Sequence, residues 1–268
     1  MNDSGLHERS GLVEKLRCPA CRGKLFQPDQ SKLECLQCAK TYSIVDDVIN
    51  LVRPETSTSK LEDIDYDEVH GINETAIANI AQQWIAIFDR VGCDTRSVLE
   101  IGSGTGALTE GLYRHGRVES LVATDVSLKF LRITQRRIGL VDSRMSFVVC
   151  DANELPLEPS SFSTVVGRSI LHHLLHYKKT LSRVLDCLED SGVAIFFEPV
   201  LEGKELIALM AQLALLSDKN SSSPCFTISE ANRIRATVRH ITKSAWLSAE
   251  RLPEIEDKYI FSIQDMEK

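Results

Sequence analysis

The sequence predicts an α/β protein on a doubly wound, mostly parallel sheet, with a small cysteine-bearing module ahead of it. Three observations carry that prediction. From about residue 75, short β-rich runs alternate with helical segments, a pattern that puts helices on both faces of a parallel sheet. The stretch "VLEIGSGTG" breaks from an apolar run into three alternating glycines, the signature of a tight strand-to-helix turn. Two Cys-x-x-Cys pairs fall in one short window near the start.

The cysteine module covers residues 12–53. Cys18/Cys21 and Cys35/Cys38 form two pairs separated by thirteen residues. Each pair presents two thiolates from one turn, and a hairpin between them makes a four-sulfur tetrahedron, the closed geometry of structural zinc. Gly23 and "PDQSK" supply turns, while "KLF" and "KLEC" supply short strands. A thioredoxin-like redox reading needs a single motif at a strand-to-helix turn of a larger domain, and that context is missing here. The module is too small to bury a core of its own, so metal binding would contribute much of its folding free energy. A closed site has no open coordination position, so no catalytic task falls to this metal.

Residues 54–74 form an acidic connector, with seven acids against the single base Lys60. The α/β domain, residues 75–268, opens with a helix over Glu74 to Val91, whose Ile77, Ile80, Trp84, Ile87, Phe88 and Val91 recur at helical spacing. "SVLEI" is the first strand and Ala107 to His115 the next helix. "SLVATD", "MSFVVCD" and "FSTVVGRS" are the following strands, with the basic helix "SLKFLRITQRRIGL" after the first of them. "YKKTLSRVLDCLED" is a helix ending near Gly192, and "VAIFFEP" is a fifth strand. Helical segments follow, including "ELIALMAQLALLS", read as a buried or lid helix, and "ISEANRIRATVRHITKSAWL". In "SIQDMEK", Ser262 is placed to N-cap a helix with Asp265 at its third position.

Composition narrows the function. Of 268 residues, 43% are apolar and 26% charged, ordinary for a globular protein. No apolar run is long enough to span a bilayer. The first residues lack the apolar middle of a secretory signal, so a cytoplasmic location is expected. The net charge of -7 is concentrated in the connector. The rest is nearly balanced and lacks the broad basic field that non-specific nucleic-acid binding needs, so no DNA partner is expected. Cys93, Cys150, Cys187 and Cys225 are read as small buried hydrophobes.

The glycine loop alone is ambiguous. Gly102, Gly104 and Ala107, with Asp125 about twenty residues on, also satisfy a dinucleotide fingerprint. Glu100 decides between the readings. A carboxylate two residues before the first glycine would repel a pyrophosphate, but it suits the cationic amino-acid end of S-adenosylmethionine. Asp125 then accepts from the ribose hydroxyls, and Asp151, followed by Ala152, meets the adenine amino group. These acids close three successive strands, and ligands bind at that edge of such sheets.

"VLEIGSGTG", "ATDVS", "CDANELPLEPSSFSTVVGRSILHHL" and "SGVAIFFEP" resemble, in order and spacing, the motifs of class I S-adenosylmethionine-dependent methyltransferases from about Ser97 to Pro199. The resemblance implies a Rossmann-like sheet and cofactor contacts from Glu100, Gly102, Ser103, Gly104, Gly106, Asp125, Val126, Asp151 and Ala152. Arg168 or Ser169 would face the methionine end. The segment from Cys18 to Val52, with its tail "KTYSIVDDVINLV", resembles the zinc ribbon of the tRNA-methyltransferase-activator type. Similar ribbons precede both rRNA and small-molecule methyltransferase domains. The family core ends with a helix and two more strands, one antiparallel. The residues after Leu201 do not supply both, so the C-terminal edge strands are expected to be missing.

Methyl transfer from a sulfonium is an in-line displacement that asks chiefly for alignment and exclusion of water, with a base only where the nucleophile must lose a proton. Candidate bases are His172, His173, His176 and Glu198. Tyr66 and His70 are candidates to cap the cofactor from the connector. The acidic balance favours a small-molecule acceptor. The alternatives are an rRNA or tRNA base, gripped through Lys15, Arg17, Arg22 and Lys24 of the ribbon, and a catalytically silent relative that serves a partner protein.

Overall fold

The structure, a computed structural model, describes residues 11–52, 67–68, 72–139, 142–243, 259 and 261–266. The chain divides into two compact units. The first runs to Ile170 and takes in His176–Phe196; the second comprises Leu171–Leu175 and the residues from Phe197 onward.

The first unit is built on one nine-stranded sheet. Its strands are β1 (Leu25–Asp29), β2 (Lys32–Cys35), β3 (Thr41–Val45), β4 (Val48–Asn50), β5 (Val98–Ile101), β6 (Leu121–Asp125), β7 (Met145–Val149), β8 (Phe162–Arg168) and β9 (Leu188–Phe197). They lie in the order β1-β2-β3-β4-β7-β6-β5-β8-β9. β1 to β4 form an antiparallel meander, and β7, β6, β5 and β8 pair in parallel. The two regions join where β4 runs parallel to β7, with Val48 opposite Phe147 and Asn50 opposite Val149. The cysteine module thus continues the sheet and occupies the edge that β7 would otherwise leave open.

Helices cover both faces, as expected. They are α1 (Glu74–Val91), α2 (Ala107–His115), α3 (Leu128–Ile138) and α4 (Tyr177–Cys187). Successive strand residues point to opposite faces. Val98, Leu121 and Phe147 pack with Ile80, Trp84 and Phe88 of α1 and Leu108 and Leu112 of α2. Leu99, Ile101, Val122 and Val165 pack with Val184 of α4. That second cluster also contains Leu16, Leu25, Leu33 and Ile44, so the cysteine module shares its core with the sheet and does not rely on sulfur ligands alone.

One boundary differs from the sequence pattern. The last helix of the unit ends at Cys187, and β9 begins at Leu188 with Gly192 inside it. The amides of Ser160 and Ser161 donate to the carbonyls of Asp186 and Cys187 at 3.0 and 2.8 Å. These tertiary bonds satisfy the end of the helix before its apolar pattern runs out.

The second unit contains a 3-10 turn (Leu171–His173), α5 (Leu201–Lys219), α6 (Ile228–Lys243) and α7 (Ile263–Met266). Of the two readings of α5, buried or lid helix, the buried one does not hold: Leu206, Ile207, Leu209, Met210, Leu213 and Leu216 are each more than half exposed, and Ala208 is its buried residue. Its apolar residues surround the helix, so one packed face cannot cover them all. α7 begins directly after Ser262, as the N-cap reading expects, and the Ile263 amide donates to the Glu202 carboxylate at 3.1 Å. No helix among the described residues is long and apolar enough to cross a membrane.

Candidate functional site

Strand order reverses at β5, which sends the chain to β6 on one side and receives β8 on the other. Such a switch point opens a crevice at the carboxyl ends of the strands. The glycine loop leaves β5 there. Gly102, Gly104 and Gly106 have φ of 66, 55 and 83°, and two of them have steric reasons to be glycine. A Cβ on Gly102 would lie 2.4 Å from Ile170, and one on Gly106 would lie 2.2 Å from Thr134. Gly104 differs, because a Cβ there would meet no atom within 4 Å. Its outer side is open to a ligand's approach.

Asp125 ends β6 and braces this loop. Its Oδ2 accepts from the Gly104 amide and its Oδ1 from the Ser127 amide, both at 2.8 Å. The Ser103 amide donates to the Thr124 carbonyl at 2.9 Å. The Ser103 hydroxyl is buried with no hydrogen-bond partner among the described residues. Glu100 is 2% exposed, and its Oε2 accepts from Thr109 of α2 at 2.6 Å. Burial raises its pKa to about 7, with the Asp125 charge adding and the Thr109 hydrogen bond and the Arg168 charge opposing. Asp151 follows β7, and its Oδ1 accepts from the Asn153 amide and side chain at 2.8 Å. Val126 and Ala152 are half-buried beside their acids, and Arg168 is exposed at the end of β8.

A clamp behind the loop escaped the sequence reading. Arg137 of α3 donates from Nε to Glu110 of α2, from Nη2 to the Thr105 carbonyl in the loop, and from Nη1 to Asp67 in the connector. Asp67 also accepts from the Thr105 hydroxyl at 2.5 Å. One guanidinium therefore ties the connector to the glycine loop. Tyr66 and His70 lie outside the described residues.

The four cysteines converge as their spacing predicts. Their sulfurs all lie within 4.8 Å of one another, with Cys18–Cys38 at 3.7 Å and Cys21–Cys35 at 3.4 Å. These distances are too long for a disulfide bond of about 2.0 Å. They approach the roughly 3.8 Å between thiolates set by a tetrahedral zinc with bonds of about 2.3 Å. Both knuckles close alike: the Arg22 amide donates to Cys18 and the Ala39 amide to Cys35, and both donors have positive φ. Cys93, Cys150 and Cys187 are buried as expected, whereas Cys225 is exposed.

In the second unit, Glu198 gathers the 3-10 turn. Its Oε1 accepts from the Leu171 amide at 2.8 Å, and its Oε2 lies 2.5 Å from His172 Nδ1. The Glu198 carboxylate has no exposed surface. The His173 ring lies 4.0 Å from that of His172.

Three of the four cations proposed to grip RNA have other partners. Lys15 donates to the Ser97 hydroxyl at 2.5 Å and lies over the Phe162 ring. Arg17 pairs with Glu158. Arg22 donates to the carbonyls of Glu154, Leu155 and Leu157. These three residues dock the cysteine module on the rest of the first unit.

Comparison with known proteins places this site in context. Residues 98–192 match a family model described as a methyltransferase domain. The chain is 29% identical over 170 residues to a demethylmenaquinone methyltransferase of Clavibacter sepedonicus, covering 60% of this chain and 67% of that protein. It is 30% identical over 119 residues to a hybrid PKS-NRPS synthetase of Aspergillus flavus, covering 42% of this chain and only 3% of the synthetase. A Methanococcus maripaludis protein assigned as an S-adenosyl-L-methionine-dependent methyltransferase aligns structurally with a TM-score of 0.48 at 19% identity, covering 69% of this chain and 87% of that one. The segment that holds the glycine loop and its acids is thus the part of the chain that matches a methyltransferase domain.

Proposed function

We propose that the protein transfers a methyl group from S-adenosylmethionine to a small-molecule acceptor, with zinc held structurally by Cys18, Cys21, Cys35 and Cys38. One observation carries the cofactor site: Gly104 is open on its outer side and held by Asp125, while Glu100, Asp125 and Asp151 belong to the carboxyl ends of three adjacent strands. The residues fit the cofactor's chemistry. Asp125, at the end of its strand beside the loop, is the acceptor for the ribose hydroxyls. Glu100 complements an ammonium group, Asp151 and Ala152 receive an adenine edge, Val126 flanks the ring, and Ser103, Gly102 and Gly106 shape the turn. Arg168 stands at the methionine end. When bound, S-adenosylmethionine supplies an electrophilic methyl group for in-line displacement.

His172 is the candidate base of the second unit. With Nδ1 engaged by Glu198, its Nε2 is the nitrogen that would take a proton, and Glu198 fixes the tautomer that permits this.

Two observations support a small acceptor. The docking role of Lys15, Arg17 and Arg22 removes much of the charge that favoured RNA, and the chain spans two thirds of a protein named for demethylmenaquinone methylation. The deciding experiment offers labelled cofactor and fractionated cell extract to the protein. Label is expected in the small-molecule fraction. Label in RNA would replace this acceptor class, and cofactor binding without any transfer would support the silent relative.

A further inference from the structure

The basic face of α3 has no part in the proposed cofactor site. Lys129, Arg132 and Arg136 recur at three- and four-residue spacing, which aligns them on one side of the helix. With Leu128, Gln135 and Asp46 they line a cavity of about 670 Å³ between α3 and the turn joining β3 to β4. The turn is a two-residue hairpin in which Asp46 and Asp47 both have positive φ, 52 and 64°, a conformation that aspartate tolerates. Gln135 holds it to α3 by donating to the Asp46 carbonyl at 2.7 Å.

Three features separate this cavity from an ordinary solvated helix face. The cations line an open depression whose volume falls in the range of small-ligand sites, roughly 300–1,000 Å³. Lys129, Arg132 and Arg136 line it together with the carboxylate of Asp46, in a chain whose net charge is -7. Finally, Arg132 is incompletely matched. It donates from Nη2 to Asp46 at 2.9 Å, while its Nε is buried with no partner among the described residues. A guanidinium fork is suited to two oxygens of one tetrahedral anion, and Asp46 uses only part of it. That aspartate is itself 70% exposed, so water can solvate it if Arg132 turns away.

We propose that this cavity binds a phosphate-bearing ligand with at least two negative charges, for which Arg132 exchanges Asp46 while Lys129 and Arg136 flank it. Lys129 and Arg136 stand about 10 Å apart along the helix axis, more than one phosphate spans, and Leu128 offers an apolar wall to the ligand's body. A free phosphorylated molecule and an RNA backbone share this chemistry, so the test separates them.

The full chain is titrated with inorganic tripolyphosphate by calorimetry and with a labelled single-stranded oligoribonucleotide by fluorescence anisotropy. Melting temperature and S-adenosylmethionine binding serve as controls for folding. Saturable tripolyphosphate binding is expected, weakened about tenfold or more in the Arg132→Gln/Arg136→Gln double variant and strengthened in Asp46→Asn. The opposite signs distinguish a local anion site from general loss of structure. If the double variant does not fold, Asp46→Asn and Lys129→Gln carry the same test. RNA binding with this variant pattern, without tripolyphosphate binding, assigns the site to a nucleic-acid backbone; tripolyphosphate alone assigns it to a free phosphorylated ligand. Absence of both, or binding indifferent to every variant, overturns the proposal.

Discussion

The ribbon and the glycine-loop corner are both built from tight turns that carry chemically active side chains, yet they differ in how fully those side chains are partnered. In the cysteine module, the sulfurs face one another, and Lys15, Arg17 and Arg22 are engaged by Ser97, Glu158 and the carbonyls of Glu154, Leu155 and Leu157. At the glycine loop, Gly104 faces open space, the Ser103 hydroxyl is buried without a partner among the described residues, and Glu100 sits near neutrality in a buried place. Satisfied polar groups hold a fold together, and incompletely satisfied ones mark where a ligand completes it.

The largest test of this contrast is on the ribbon. Chelation, or Cys35→Ser, is expected to release about one equivalent of zinc and lower the melting temperature by about 10 °C or more. Metal analysis with calorimetry checks both; a chain that holds no zinc and melts unchanged would break the structural-metal reading. At the loop, Asp125→Ala removes the acceptor for the Gly104 and Ser127 amides. S-adenosylmethionine affinity should fall about a hundredfold, from the loss of charge-assisted hydrogen bonds, measured by titration calorimetry.

Glu100 adds a pH signature. Its pKa is raised from 4.5 to about 7, so the carboxylate that would pair with the cofactor's ammonium is lost as pH falls through 7. Cofactor affinity should decline by up to about tenfold per pH unit below that point, and Glu100→Gln should flatten the profile. For stability the sign is opposite: the folded state holds this proton more tightly than the unfolded chain. The stabilising contribution is full below about 4.5 and is lost as pH rises through 7. The smallest effect concerns ribbon charge. Arg22→Ala should cost about 1–2 kcal/mol through its lost carbonyl contacts, without changing RNA retention; weaker retention would return that residue to the RNA reading.

Much of the architecture was legible because its signals are local. α1 spans Glu74–Val91 as its periodicity predicts, since Asn73 caps one end and Gly92, at φ 73°, closes the other. The cysteines meet because each knuckle is a closed turn. Features set by distant partners were not legible. The end of α4 depends on Ser160 and Ser161, and the Arg137 clamp joins Asp67, Thr105 and Glu110 from three separate segments. The exposure of α5 was hidden because apolar composition does not reveal whether a partner face exists. Of the candidate site, the glycines and acids were readable as a series, while the clamp behind them appeared in sequence only as part of a basic helix.

The pairing of β4 with β7 also decides what failure of the ribbon would look like. If the ribbon comes away, the outer rim of β7 displays a row of unpaired amides and carbonyls to any passing strand. A damaged ribbon therefore makes the whole molecule adhesive. Removal of zinc should appear in light scattering as growth of assemblies, with a rate that rises with protein concentration, and simple reversible unfolding would show no such dependence.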